Sequence, residues 1–311
     1  MDCFVFHYIW CDIGRPPGLG VKITLSERLT KVKLTNLDKV LFPGPSIKKR
    51  QVIEYYIRIA PKILSILNNR PIVLTRFPNG INEQSFYEKD APLGSPDWIQ
   101  TFRTYSEIAG RNINYILCND LDTLVWLANL AAIEIHVNLS KKDSAENPDL
   151  ILFDMDPEPP ANYEDVVGVA ILLREKLGLL GLRSYVKTSG KTGLHVVIPI
   201  ARDYTFKQTR EFVHQIGKYL AKESTVVTSE STRTKKPGSV YIDYVQNSHG
   251  RTMICPYSLR ATANATVSMP LKWNDINKGL KPEEFNLFTV IKIKESPWEG
   301  LLDNPQRLDW S

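Results

Sequence analysis

The sequence predicts a mixed α/β chain of the α+β kind, built around a β-α-β-β-α-β unit over residues 150–244 that matches the ferredoxin-like split βαβ arrangement. Three observations carry this. Residues 150–156, Leu-Ile-Leu-Phe-Asp-Met-Asp, are the most hydrophobic strand-like run of the chain, and such a run reads as a buried strand. Residues 184–189 and 194–200 flank the turn Ser189-Gly-Lys-Thr-Gly193 and read as a hairpin. Helical patterns over about 163–177 and 205–222 separate these strands from one another and from a last strand, Val240-Tyr-Ile-Asp-Tyr244.

Ahead of this unit, residues 46–68 read as a helix capped by Ser46. Val52, Ile53, Tyr56, Ile59, Ile63 and Leu67 form its buried stripe at helical spacing. Residues 72–76 read as a strand and Pro78-Asn-Gly80 as a turn. The Pro-, Gly- and Asp-rich stretch 79–98 encloses Ser85-Phe-Tyr-Glu-Lys89. Asn119 or Asp120 caps a second helix to about Ala131. In 133–139, Ile133, Ile135, Val137 and Leu139 face one side, and Glu134, His136 and Asn138 the other, which is strand alternation. The region beyond 244 is irregular and rich in Pro and Trp.

At 311 residues one bilobal unit or two domains is expected. Apolar content of 43% and charged content of 23% are ordinary for a globular protein. A net charge of +5 is compatible with nucleic acid without arguing for it. No stretch is long and apolar enough to cross a bilayer, so no membrane partner is expected. Cys3, Cys11, Cys118 and Cys255 lack paired spacing, which suits a reducing, cytoplasmic setting. Cys3, His7 and Cys11 stand at four-residue spacing, but no fourth ligand joins them and no zinc is expected.

Side chains alternate along a strand, so Asp154 and Asp156 share a face. Carboxylates ending so apolar a run are costly unless something positive neutralises them. Divalent metal meets that need, with Asp243 completing a set of the kind that runs phosphoryl transfer. The turn at 189–193 suits an anion held by backbone N–H groups, or is an ordinary hairpin turn. His195 either touches phosphate or packs at its strand start. Lys48, Lys49 and Arg50 oppose the dipole of the predicted helix; this makes sense with a phosphate at its N-terminus, or marks a solvated basic surface. Phe86 and Tyr87 beside Lys89 match base-stacking loops, or pack as core. Arg233, Lys235 and Lys236 form a basic loop suited to backbone phosphates or to solvent. The chemistry indicated is nucleotidyl transfer.

The stretches Leu34-Thr-Asn-Leu-Asp-Lys-Val-Leu-Phe-Pro43, Arg76-Phe-Pro-Asn-Gly80, Ser85-Phe-Tyr-Glu-Lys89, 126–136, LILFDMDPEP, KTSGKTGLH, YIDYVQN and CPYSLRAT follow in this order. Through them residues 30–276 resemble the polymerase (primase-like) domain of the ligase D family and its stand-alone archaeal relatives in non-homologous end joining, within the archaeo-eukaryotic primase superfamily. The resemblance implies a primase-polymerase palm with an RRM-like sheet. It divides the chain into an extension at 1–29 and a domain at 30–311, with an N-terminal lobe at about 30–140, a catalytic palm at about 141–276 and a tail at 277–311. It implies Asp154, Asp156 and Asp243 as catalytic ligands of two divalent ions, Mn2+ or Mg2+, since oxygen ligands accept either.

By the same resemblance His136, Ser189 and Arg260 hold the incoming nucleotide, Arg260 being able to clamp triphosphate oxygens. Lys191, Thr192, His195 and Gln246 join them as nucleotide-binding candidates. Lys39 and Lys48 fall where the family grips a downstream 5′-phosphate. Arg76, Phe86, Tyr87 and Lys89 fall at the template, and Arg233 and Lys236 in an end-bridging loop. The family turn usually reads Ser-Gly-x-Lys-Gly; here Lys191 and Thr192 stand in swapped order, so either Lys191 reaches the phosphates from one residue earlier or Thr192 substitutes.

The implied activity is addition of nucleotides, ribonucleotides preferred, to primer ends at gaps and double-strand breaks, on the nucleoid. Nucleoside triphosphates are the substrates, and Ku and a separate DNA ligase the expected partners. A replicative primase catalytic subunit would use the same aspartates but typically adds a zinc knuckle, and is told apart by de novo primer synthesis. A non-enzymatic DNA-end-binding module would fail to extend a primer.

Overall fold

The computed structural model describes residues 31–107, 109–229 and 236–308. The extension at 1–29 with Cys3, His7 and Cys11, and Arg233 and Lys235 of the basic loop, lie outside the described residues. Among the described residues no helix is long and apolar enough to cross a membrane.

Strands β1 (Val40–Phe42) and β2 (Ile47–Lys48) form a small antiparallel ribbon that leads directly into helix α1 (Lys49–Leu67). The whole predicted stripe of α1 is buried, joined by Tyr55, Ala60 and Ile66. Ser46 is not its cap. It sits in the ribbon turn at φ 54°, because Ile47 and Lys48 pair with β1 before the helix begins. Lys48 takes the cap position, and its N–H donates to Gln51 Oε1 at 2.8 Å.

Strands β3 (Pro71–Arg76), β4 (Phe86–Glu88), β5 (Thr101–Ser106) and β6 (Arg111–Leu117) precede helix α2 (Leu121–Asn129) and strand β7 (Ala132–Asn138). Asp120 caps α2, its Oδ1 accepting from the Thr123 N–H at 2.7 Å. One edge of β3 takes β7; the other takes β6 at one end and β4 at the other. Part of the stretch 79–98, expected to be loop, is therefore strand.

The second half runs β8 (Leu150–Pro157), α3 (Tyr163–Leu179), β9 (Tyr185–Thr188), β10 (Leu194–Pro199), α4 (Phe206–Glu223), β11 (Val227–Thr228) and β12 (Val240–Ile242). Asn162 caps α3 and Thr205 caps α4. The sheet order β12-β8-β10-β9, antiparallel throughout, is the ferredoxin-like arrangement, extended by β11 and by β14 (Pro270–Leu271). Phe153 meets Phe212 of α4 edge-on, centroids 6.4 Å apart. Ile151, Phe153 and Met155 thus face the helices, and alternation turns Asp154 and Asp156 to the opposite face.

The halves interlock. Strand β13 (Thr252–Ile254), which follows the second sheet's β12, pairs with β7 of the first sheet, and one apolar core runs through both. Helix α5 (Leu287–Val290) packs in the same core. At the junction, fully buried Arg70 forms a two-pronged pair with Asp149, at 2.7 and 2.9 Å. Arg70 also donates to the carbonyls of Ile66 and Asn138, at 3.2 and 3.1 Å, so it ties α1, β3 and β7 to the start of β8. Asp149→Ala strands a buried guanidinium, and we expect a loss of about 3–5 kcal/mol in denaturant unfolding. A loss as small as that of an exposed ion pair would remove the junction role.

Candidate active site

Strand register builds the site. His195 pairs with Asp154 across β10–β8 and with Lys187 across β10–β9. Directly opposed residues share a face, so Lys187, His195 and Asp154 form one row on the face away from the helices. Tyr241 pairs with Asp156, and the Asp243 N–H donates to the Asp154 carbonyl at 2.9 Å, which brings Asp154, Asp156 and Asp243 to that same face. Asp243 lies just beyond β12 and caps a 3-10 turn, Tyr244–Asn247, its Oδ1 accepting from the Val245 N–H at 2.9 Å and the Tyr241 hydroxyl at 3.3 Å. Asn247 pins this turn to β8: its Nδ2 donates to the Leu152 carbonyl at 2.7 Å and its Oδ1 accepts the Leu152 N–H at 2.9 Å. Gln246 stands half-buried in the turn.

His195 Nε2 lies 3.1 Å from Asp154 Oδ1, while its Nδ1 is buried without a hydrogen-bond partner. Burial works against the Asp154 charge, but His195, Lys187 and Arg260 outweigh it and hold the carboxyl below the usual range. Burial and then Lys187 push His195 down to about 4. Burial and the Asp154 charge push Asp243 up, so two carboxylates repel each other here. A divalent cation would relieve that repulsion, and oxygen donors suit Mg2+ or Mn2+. Among the described residues no three His, Cys, Asp or Glu side chains converge on one point; Asp154 is turned to His195 and Asp243 to its own turn. Lys187, which sequence reasoning passed over, is fully buried and donates to Ser268 Oγ at 2.6 Å.

The first sheet supplies the facing wall. Thr75 pairs with Glu134 and with Tyr87, and Val73 with His136, so Tyr87, Glu134 and His136 share a face. The Tyr87 ring stands edge-on to His136 at 6.3 Å. Phe86 pairs with Arg76 and so points to the other face. Arg76 is engaged within the protein, by both oxygens of Glu88 at 2.9 Å and by the Leu130 carbonyl at 3.1 Å. Both aromatics are exposed, Phe86 by 44% and Tyr87 by 58%, and Lys89 follows them half-buried.

Arg260 bridges the walls: its Nε lies 3.0 Å from Glu134 Oε1 and its Nη1 donates to the Ser189 carbonyl at 2.7 Å. The anion cradle expected from the turn is already filled, since Ser189 Oγ accepts the N–H groups of Lys191 and Gly193, at 3.2 and 3.1 Å. Lys191 and Thr192 are exposed at its tip, Lys191 Nζ reaching Glu134 Oε1 at 3.8 Å. The two glycines are steric necessities. A Cβ on Gly193 would meet the Met155 carbonyl oxygen at 2.4 Å, and one on Gly190, whose φ is +75°, would meet Arg260 Cγ at 2.6 Å.

At the start of α1, the expected free N–H groups are mostly taken. Those of Lys48, Lys49 and Arg50 donate to Gln51 Oε1, the Lys39 carbonyl and the Leu37 carbonyl, at 2.8, 2.8 and 3.1 Å, so any anion held there must be held by cations. Lys39 Nζ donates to Asn79 Oδ1 at 2.7 Å, and Lys48 lies 3.3 Å from Asp38, which also takes Arg50 at 2.6 Å. Lys49, read in the sequence only as part of a basic run, is buried beside Thr35 Oγ1 at 3.3 Å, and burial and Lys39 push it down to about 8. Lys236 Nζ lies 3.5 Å from the Thr225 carbonyl.

An antiparallel palm with a row of carboxylates, joined to the first sheet through an Arg-Glu-Lys cluster, belongs to a nucleotidyltransferase of the primase-polymerase type. Residues 48–298 match the family model "LigD, primase-polymerase domain". The chain is 34% identical over 281 residues to the bifunctional non-homologous end joining protein LigD of Bacillus subtilis (strain 168), covering 89% of this chain and 45% of that protein. It is 32% identical over 253 residues to the multifunctional LigD of Mycolicibacterium smegmatis, covering 80% and 33%. The chain thus spans less than half of these curated relatives. The polymerase domain of Mycobacterium tuberculosis ligase D, solved in complex with DNA, superposes with a TM-score of 0.81 at 27% identity, covering 89% of this chain and 99% of that one. This chain belongs to the LigD primase-polymerase family.

The packing of Gly190 against Arg260 yields a paired test. Gly190→Ala should cost about 1–3 kcal/mol in unfolding and weaken nucleotide binding through the displaced guanidinium. Gly94, at φ +79° with nothing within 4 Å of where a Cβ would stand, is the control: Gly94→Ala should strain the backbone and leave nucleotide binding alone.

Proposed function

We propose that this chain extends 3′-hydroxyl ends at DNA gaps and breaks from nucleoside triphosphates, with ribonucleotides preferred, in the repair of broken DNA. The observation that carries it is the row Asp154, Asp156 and Asp243 on the helix-free face of the second sheet, with Arg260 and the hairpin's Lys191 both reaching Glu134, which shares a face of the first sheet with His136. The three aspartates would hold two divalent cations, Mn2+ or Mg2+, which when bound supply Lewis-acid chemistry for phosphoryl transfer. Arg260, Lys191, Thr192 and Ser189 would bind the triphosphate, with His195 and Gln246 alongside. Tyr87, on the site-facing side of β4, would stack on a base, and Phe86, on the other side, on the template beyond it. Ku and a DNA ligase activity would act with it; the relatives named for non-homologous end joining support the repair setting.

We expect Asp154→Ala or Asp156→Ala to abolish labelled-primer extension while gel-shift affinity for gapped DNA stays within about threefold, because backbone grip and metal chemistry use different residues. Clear extension by the double variant would sink the assignment.

The cluster around Lys39 would recognise a downstream 5′-phosphate, with Lys48 and the newly located Lys49 as companions. A terminal phosphate carries close to two charges against one for an internal diester, so clustered lysines can select ends. Wild type should bind a gapped duplex more tightly with a 5′-phosphate than with a 5′-hydroxyl, with the difference shrinking as salt rises. Lys39→Ala/Lys49→Ala should erase the difference more fully than Lys48→Ala, whose ammonium already has Asp38. Equal binding of both duplexes by wild type would exclude end recognition.

A further inference from the structure

Glu134 is a buried carboxylate among the residues proposed to bind the triphosphate. Only 6% of it is exposed. Its Oε1 lies 3.0 Å from Arg260 Nε, 3.2 Å from the Ala261 backbone nitrogen and 3.8 Å from Lys191 Nζ, and its Oε2 lies 3.4 Å from His136 Nε2. This negative charge offsets the cations on which a polyanionic substrate depends. A buried guanidinium without a counter-charge is costly, which explains a partner for Arg260; it does not explain why the same carboxylate also reaches an exposed lysine.

The two halves of this cluster are held with different firmness. The Tyr56 hydroxyl donates to the Ile133 carbonyl at 2.8 Å and accepts the Leu259 N–H at 3.3 Å. Ser258 Oγ accepts the Ile135 N–H at 2.8 Å. The residues on either side of Glu134 are thereby fastened to those just before Arg260. The Nε and Nη1 edges of Arg260 are bound to Glu134 and to the Ser189 carbonyl, which leaves Nη2 for a substrate oxygen. Lys191, by contrast, rides on the tip of a turn, half exposed, at the longest of the four separations.

We propose that Glu134 is a positioning residue of the nucleotide pocket: it orients the Arg260 guanidinium and parks Lys191 until a triphosphate draws the lysine away. The inference rests on the nucleotidyl-transfer reading. Its consequence is that orientation and charge at Glu134 act in opposite directions on nucleotide affinity. The carboxylate strengthens binding by aiming Arg260 and weakens it by competing for Lys191, which also eases departure of the pyrophosphate product.

Glu134→Gln keeps an oxygen for Arg260 and Ala261 but removes the charge; Glu134→Ala removes both. We would measure the Kd of mant-ATP by fluorescence at low salt with Mn2+, thermal midpoints, and single-nucleotide gap filling with ATP. Glu134→Gln should lower the midpoint yet tighten mant-ATP binding by up to about tenfold, the scale of one charge-assisted contact. Glu134→Ala should weaken binding by a similar factor. Purely structural damage moves both variants the same way. The gain in Glu134→Gln should vanish in Glu134→Gln/Lys191→Met, a comparison that stands even if the alanine variant fails to fold. Weakening by both single variants, no shift in Glu134→Gln, or a gain that survives Lys191→Met would overturn the proposal, as would wild type that does not bind mant-ATP. Wild type that binds mant-ATP but fills no gap would sink the polymerase reading alone, since the binding data still decide the role of Glu134.

Discussion

The guanidinium of Arg260 sits where the two sheets meet, taking a carboxylate from β7 and a backbone carbonyl from the hairpin that ends β9. Much of the site depends on this one placement. A buried charge forces its neighbours into complementary positions, so Glu134 must face inward from a strand whose other face is apolar, and Gly190 must lack a side chain where the turn passes Arg260 Cγ. The aspartate row owes its electrostatics partly to the same group, because Arg260 is among the cations that keep Asp154 ionised despite burial.

Around that point the protein is built with unequal stiffness. Asp154 and His195 lie on central strands, fixed by register on both sides. Asp243 is held less by its strand than by the turn that follows, and Asn247 secures that turn through two bonds to β8. The hairpin tip with Lys191 and Thr192 is exposed. The layout sets carboxylates fixed by strand register, and an Arg260 held by two hydrogen bonds, beside one exposed lysine at a hairpin tip.

Much of this was legible in the sequence, for identifiable reasons. The run 150–156 announced β8 because apolar continuity is a local property, and the helical patterns at 163–177 and 205–222 located α3 and α4 to within a few residues. What escaped depended on distant partners. Strands β4 and β5 are exposed on much of their length, and become strands because β3 and β6 offer them edges. Ser46 has the chemistry of a helix cap, but a two-residue strand claims the positions after it. Asn247 sat in plain view within YIDYVQN, yet its target, the backbone of Leu152, is about a hundred residues away. Glu134 looked like one polar residue among three on an alternating strand, and only Arg260, from the far end of the chain, reveals its task.

The return of β13 to the first sheet has a bearing on how the molecule is made. A ribosome delivers β3, β6 and β7 early, but β7 keeps a bare edge until residues 252–254 emerge. Unpaired edges invite pairing with other chains, and domains assembling during synthesis are exposed to that hazard while they wait. By the time β13 closes the edge, β8 and β12 have already been synthesised, so the first sheet is completed only after the carboxylate strands exist. The order of synthesis leaves an edge of β7 bare until residues 252–254 and an edge of β9 bare until residues 270–271 have been made, and gives a truncated chain no finished half.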